Sequence, residues 1–410
     1  MPVNYLSPDI YIEEVPLGSR PIQAVGTSTA GFVGVAPNAG ARVNDPVAIA
    51  NWSDFARQFI TVADDGTPSS TSTPLSHAVR GFFDNGGSLC YVVNIGADGN
   101  LVAGLEALAT IDEIAIVAAP GYIGADAYDA LLSHCENLQD RVAILDTPEA
   151  VTDLNQLTQV ATAAPSGRRR AAEGETETPP PATGLRPRQS DSGFGAVYFP
   201  WITVRDALAP GMIVNVAPSG HIAGIWARTD ATRGVHKAPA NEIVRGALNV
   251  TRRLTRDEQG ILNPVGVNVI RLFSGEGIRV WGARTVAPAS SEFRYLSVRR
   301  LFCMIEESIA ESMRWVIFEP NAIPLWKSIE RDVTAFLIRI WRDGALMGAT
   351  PQEAFFVRCN AETNPQENID AGIVTTMIGI APVKPAEFVI FRISQYVGGT
   401  EIETVGGNNA

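Results

Sequence analysis

The sequence predicts an α/β (α+β) protein with two folded units and extended ends. Three observations carry that prediction. Short apolar runs alternate with amphipathic helical stretches from Gly26 onward, a second set of strands and long helices follows residue 256, and proline-punctuated or polar segments flank both. The expected division is an arm over 1–24, a first unit over 25–255, a second over 256–396 and a tail over 397–410.

In the arm, Pro2, Pro8, Pro16 and Pro21 surround the alternating run "IYIEEV", Ile10 to Val15. Ile10, Ile12 and Glu14 share one face, with Tyr11, Glu13 and Val15 on the other, a pattern that suits an exposed extended strand better than a core element.

The first unit reads "TAGFVGVA" as a strand, "NWSDFARQFI" and "TPLSHAVRGFFDNGG" as helices, and "LCYVVNIG" as a strand. Strand "IAIVAAP", helix "DAYDALLSHCENL" and strand "RVAILDTP" follow, with parallel or antiparallel order left open. Residues 165–193, "PSGRRRAAEGETETPPPATGLRPRQSDSG", carry almost no large apolar side chain and cannot offset the entropy of ordering, so they are expected to form an exposed loop. The strand "FGAVYFPWITV" resumes the same unit, and "ANEIVRGALNVTRRL" reads as a helix.

In the second unit "GVNVIRLF" and "IRVWGARTV" are strands joined by the glycine-rich reversal "SGEG". A helix over 293–314 and a strand "WVIFE" come next. In "PLWKSIERDVTAFLIRIWRDGAL" the residues Leu325, Ile329, Val333, Phe336, Leu337 and Ile340 fall at helical spacing. "EAFFVRC", "MIGIAP" and "EFVIFRIS" complete the expected sheet. In the last of these Phe388, Val389, Ile390, Phe391 and Ile393 fall on both faces of the strand, so both faces want cover.

A net charge of −12 argues against nucleic acid, whose phosphates need clustered Lys and Arg, and the one basic run, Arg168 to Arg170, lies in the low-complexity stretch. The four cysteines are far apart, without zinc or disulfide spacing. No signal peptide and no membrane-spanning run is visible, so synthesis in the cytoplasm is expected.

Enzyme motifs are thin. "GTSTA", Gly26 to Ala30, approaches the nucleophile elbow but ends in alanine and lacks marked acid and base partners. "GEGIRV" opens a strand where a phosphate-cradling loop opens a helix, and no Walker motif is present. His77, His134, His221 and His236 show no ligand spacing, so no metal and no cofactor is expected. A divergent α/β hydrolase or nucleotide-binding enzyme and another lattice-forming capsid or baseplate protein are the alternatives.

At "PSGHIAGIWARTDATRGVHKAPAN" (218–241) and "GEGIRVWGARTV" (275–286) the chain resembles the sheath subunits of contractile tails, which occur in phages, phage-tail-like bacteriocins and extracellular contractile injection systems. "SPDIYIEEVP", "GSRPIQAVGTSTAGFVG", "AVYFPWI", "RRLFCMIEESI" and "KPAEFVIFRISQ" extend the resemblance collinearly over nearly the whole chain, the 165–193 loop excepted.

The resemblance implies a structural subunit, with no active site, that stacks as hexameric rings around an inner tube and contracts. It implies an outer α/β domain (25–255), an inner C-terminal sheath domain (256–396), and baseplate and terminal cap proteins as further partners. Both arms would be donated as strands to neighbouring copies through Ile10, Tyr11, Ile12, Glu13 and Val15 at one end and Ile402 and Thr404 at the other. Either "EFVIFRIS" or "TEIETV" fits as the donated C-terminal strand. The reading followed here makes Phe388, Val389, Ile390, Phe391 and Ile393 part of the acceptor sheet. Glu306, Glu307 and Glu311 are the residues expected to face basic groups of the tube.

Overall fold

The computed structural model describes residues 21–63, 68–97, 99–162, 184–209 and 211–390. The chain enters β1 (Ala30–Gly34), passes β2 (Val47–Ile49), α1 (Trp52–Phe59) and α2 (Pro74–Asp84), and returns through β3 (Cys90–Asn94). Local sequence explains the helix starts. Asn51 accepts from Asp54 N before α1, and Thr73 with Ser76 forms a reciprocal cap before Pro74 opens α2. Then come α3 (Leu101–Leu108), β4 (Ile116–Ala118), α4 (Ala125–Leu138), β5 (Val142–Asp146) and β6 (Gly195–Phe199).

These strands form most of a nine-stranded sheet in the order β2-β3-β1-β4-β5-β6, continued by later elements. β1, β4, β5 and β6 are buried along their whole length, as strands covered on both faces by helices must be. Gly31 faces Leu108 of α3 and Gly34 faces Leu75 of α2, so the two helices lie on opposite faces of β1.

The expected single strand "FGAVYFPWITV" is two. Pro200, which has no N–H to give a ladder, ends β6, and β7 (Ile202–Arg205) leaves for a three-stranded sheet with β8 (Ile213–Val216). α5 (Ser219–Arg233) then packs along α2. A Cβ on Gly220 would stand 2.2 Å from Ala78 Cα, and one on Gly224 would stand 2.4 Å from Phe82 O. Backbone therefore meets backbone at this crossing, and only hydrogen at these two positions permits it.

"ANEIVRGALNVTRRL" is not a helix. It supplies β9 (Glu242–Ile243) and β10 (Asn249–Val250), with Gly246 at φ +81 between them. The Asn85 side chain takes both polar groups of Arg245, accepting from its N–H at 2.9 Å and donating to its carbonyl at 3.0 Å, which leaves that backbone no helical partner. α6 (Arg256–Leu262) follows, capped by Thr255 and Glu258.

β11 (Val267–Phe273) and β12 (Gly277–Val280) form the expected hairpin, but they belong to the first unit. β11 pairs in parallel with β6, and β12 pairs with β9, which completes the sheet as β6-β11-β12-β9. The division expected at 256 therefore cuts a sheet. The buried run Val267–Ile270 satisfies its backbone on the nearest parallel edge, and the two hydrophobic cores separate only at α7 (Leu296–Ser312).

α7 serves both cores: Leu296 and Cys303 pack into the first, Leu301, Met304 and Ile305 into the second. The expected strand "WVIFE" is a tight turn over Arg314–Val316, after which Ile317 and Phe318 are exposed, Phe318 at φ +70, with no strand alongside. α8 (Ile323–Arg342) buries Leu325, Ile329, Val333, Phe336, Leu337 and Ile340 as its spacing predicts. β13 (Phe355–Arg358) and β14 (Met377–Ile380) close the second body as an antiparallel pair.

Replacing Gly220 by Ala tests the α2–α5 crossing. Helix propensity favours Ala by about 1 kcal/mol, yet the methyl would force two backbones apart. The expected result is a net loss of about 1–3 kcal/mol in chemical denaturation. An unchanged or raised midpoint contradicts the close approach.

Candidate functional site: arm roots and an open sheet edge

The segment before β1 is held along its length by α7 and α8. Ile22 is fully buried in the second core, and its carbonyl accepts from Arg339. Gln23 N donates to Ser312 Oγ at 3.2 Å and Val25 N to Ser308 Oγ at 3.0 Å, so hydroxyls one helical turn apart on α7 take the place of a partner strand.

Thr27 ends this track. Its hydroxyl donates to Asp230 Oδ2 at 2.6 Å, and its carbonyl accepts from Arg300 Nη2 at 2.8 Å. Arg300 also donates to both Asp230 oxygens, at 2.9 and 2.6 Å, and lies 4.8 Å from the centre of the Trp226 ring. The two side chains are 3% and 5% exposed, which makes this a buried pair whose desolvation is offset by two-point geometry and by the extra Thr27 bonds. It ties α5 of the first body to α7 and fixes the root of the N-terminal arm to both.

The other root is built on Glu387. Its carboxylate accepts from Asn263 Nδ2 at 2.8 Å, from Arg284 Nε at 3.1 Å and from Tyr295 OH at 3.5 Å. Asn268 in turn accepts from Arg284 N and donates to its carbonyl. Immediately beyond, Phe388, Val389 and Ile390 are 72, 69 and 81% exposed and belong to no strand of this chain. Expected as members of the acceptor sheet, these three residues pair with no strand among the described residues. Phe391 and Ile393 lie outside the described residues, as do Ile10, Tyr11, Ile12, Glu13, Val15, Ile402 and Thr404.

The second body offers an edge. Among the described residues β13 and β14 have only each other, and a two-stranded sheet is marginal by itself. The Phe356 ring covers Gly379, where a Cβ would stand 2.2 Å from its Cε1, and Phe356 and Met377 remain 45 and 51% exposed. An exposed apolar pair of strands with free main-chain groups is a template for a further strand.

Of the three glutamates expected at a tube, Glu306 accepts from Arg299 Nη2 at 2.8 Å, and Arg299 is packed 4.6 and 4.5 Å over Phe194 and Phe293. Glu307 is half-buried against the first body, where burial pushes its carboxyl up to about 7, reinforced by Asp140 and Glu311. Glu311 is exposed. "GTSTA" forms the clamped approach to β1. Among the described residues no group of three or more His, Cys, Asp or Glu is placed to hold a metal, and no helix is long and apolar enough to cross a membrane.

Residues 99–286 match the phage tail sheath protein central domain, and residues 289–395 match the phage tail sheath C-terminal domain. The chain belongs to the phage tail sheath family. The junction between the two matches falls before α7, where the two cores part.

Among solved structures, the chain is similar to one from the baseplate of the anti-feeding prophage, 30% identical with a TM-score of 0.72, covering 96% of this chain and 100% of that one. It is also similar to the contracted sheath of an extracellular contractile injection system, PVC, 28% identical with a TM-score of 0.74, covering 96% and 99%. The tail sheath protein of Salmonella phage ViI is 25% identical over 69% of this chain and 44% of its own length. The chain spans less than half the length of the phage relatives it matches.

The two roots were missed by sequence reading because Arg300 and Asp230 lie 70 residues apart and Arg284 and Glu387 lie 103 apart, with no local spacing to link them. Glu387→Ala leaves Arg284, 7% exposed, without its carboxylate. The expected cost is about 1–3 kcal/mol, with faster chymotryptic cleavage at Phe388 in limited proteolysis. Cleavage unchanged from the parent contradicts the anchoring role.

Proposed function

We propose that the chain is a structural subunit of a contractile tail sheath, stacked as hexameric rings around an inner tube, whose contraction drives the tube through a target envelope. The observation that carries this reading is the similarity to contractile sheath chains over almost the full length of both partners, at 28 to 29% identity. The open β13–β14 edge and the two clamped arm roots support it from the physics of the single chain.

In this reading the arms add strands to neighbouring copies. A donated strand of about five residues makes four or five main-chain hydrogen bonds at about 0.5–1.5 kcal/mol net each. One junction is therefore weak. Several per subunit, each made intramolecular by the others, give a durable mesh that tolerates large rotations. Because each root is fixed while the arm beyond it is a tether, neighbours stay linked as rings shorten.

The subunit carries out no catalysis in this account. Contraction uses energy stored at assembly, in an extended lattice that is kinetically held above the contracted one. Glu311, and the exposed half of Glu306, are the carboxylates left on α7 for basic tube residues. Baseplate and cap proteins terminate the stack, synthesis takes place in the cytoplasm, and the finished particle acts outside it.

Expression of the chain alone should yield tubes of uniform diameter in electron micrographs; a stable monomer with hydrolase turnover would favour the enzyme alternative. Removing residues 1–20 should leave a folded subunit that forms no tubes, and normal tubes would refute strand donation at that end. Val389→Asp or Phe391→Asp should abolish assembly, because a charge would enter a sheet interior. Normal assembly of both would remove this segment from the intersubunit sheet.

A further inference from the structure

α7 meets the first body along a seam that contains an unusual carboxylate. Glu307 lines a small cavity together with Asp140, Val142 and Ala115 of the first body and with Thr27 of the arm root. It has neither a hydrogen bond nor an ion pair with any described residue.

The charges around it are of its own sign. Asp140 and Asp112 face it from the first body, and Glu311 lies one turn along α7. The cations nearby are engaged elsewhere. Arg141 donates Nε and Nη2 to Asp140, at 2.6 and 2.8 Å, and further bonds to the Leu108 and Ile111 carbonyls. Arg300, which lines the same cavity, is committed to Asp230 and Thr27. Arg314 sits 3.9 Å from Asp112 on the exposed rim. His134, beside Asp140 and Arg141, is kept neutral by burial, which lowers it to about 4.

We infer that this seam is a proton-sensitive joint between the two bodies, closed when Glu307 is neutral and weakened when Glu307 ionises among Asp112, Asp140 and Glu311. The direction follows from linkage. In the fold its carboxyl is raised from the ordinary 4.5 to about 7, so the folded chain holds that proton more tightly than the unfolded one. The resulting stabilisation is complete below pH 4.5 and is lost as pH rises through about 7.

The whole-protein pH profile does not isolate this effect. Buried His134 and His221, each lowered from 6.5 to about 4, act in the opposite sense: they weaken the fold as pH falls from 6.5 toward 4. The informative quantity is the difference between a variant and its parent at each pH.

Glu307→Gln, a neutral mimic of the protonated side chain, provides the test in the full-length chain. Melting temperatures of variant and parent are compared from pH 4.5 to 9 in low salt. They should coincide near pH 4.5, and the variant should gain about 1–3 °C above pH 8, with half the gain near pH 7. At 0.5 M NaCl the gap should narrow, and Glu311→Gln in the Glu307 parent should move its midpoint to lower pH. Hydrogen exchange at Ala115 and at Val25 to Thr27 should speed up with pH in the parent relative to the variant. A gap that does not change with pH, or a variant less stable than the parent at pH 9, overturns the inference.

Discussion

A β-strand with an open edge needs a partner for its main-chain groups, and among the described residues the second body has no third strand to provide one. β13 and β14 pair only with each other among the described residues, while apolar Phe388, Val389 and Ile390 stand in solvent beside no strand. Each feature alone is a liability for aggregation. Together, in the proposed sheath, they would be complementary parts of a joint between copies.

For such a joint to carry load, the arm must be fixed where it leaves its own body. At the N-terminal root the bonds fall in sequence from Ile22 to Thr27, and they involve α8, α7 and α5 in turn. Tension on the arm therefore reaches two helices of the second body and the buried Arg300–Asp230 pair before it reaches β1. At the other root Glu387 passes the load to Arg284 of the first body. α7 sits between these points and contributes side chains to both hydrophobic cores, which couples the two bodies through one helix.

Much of this was legible in the sequence wherever local pattern and tertiary context agree. Apolar runs such as "AGFVG" and "VAIL" became buried parallel strands, and the stripe from Leu325 to Ile340 became the buried face of α8. Reading failed where a distant partner decides the outcome. "ANEIVRGALNVTRRL" has a helical composition, but Asn85 holds Arg245 in an extended path. "GVNVIRLF" is a strand on any reading, and only its pairing with β6 assigns it to the first body. The apolar run "WVIFE" finds no partner strand among the described residues and turns instead. For the same reason the family resemblance was legible in the sequence, while the contacts that hold Thr27 and Glu387 arise only in the fold.

Amide hydrogen exchange at Met377–Ile380, read on dispersed subunits and on assembled tubes, tests the central claim most directly. The account predicts slowing on the order of 100-fold or more on assembly, as the open edge of β14 gains a strand from another copy. Equal exchange rates in the two states would contradict it.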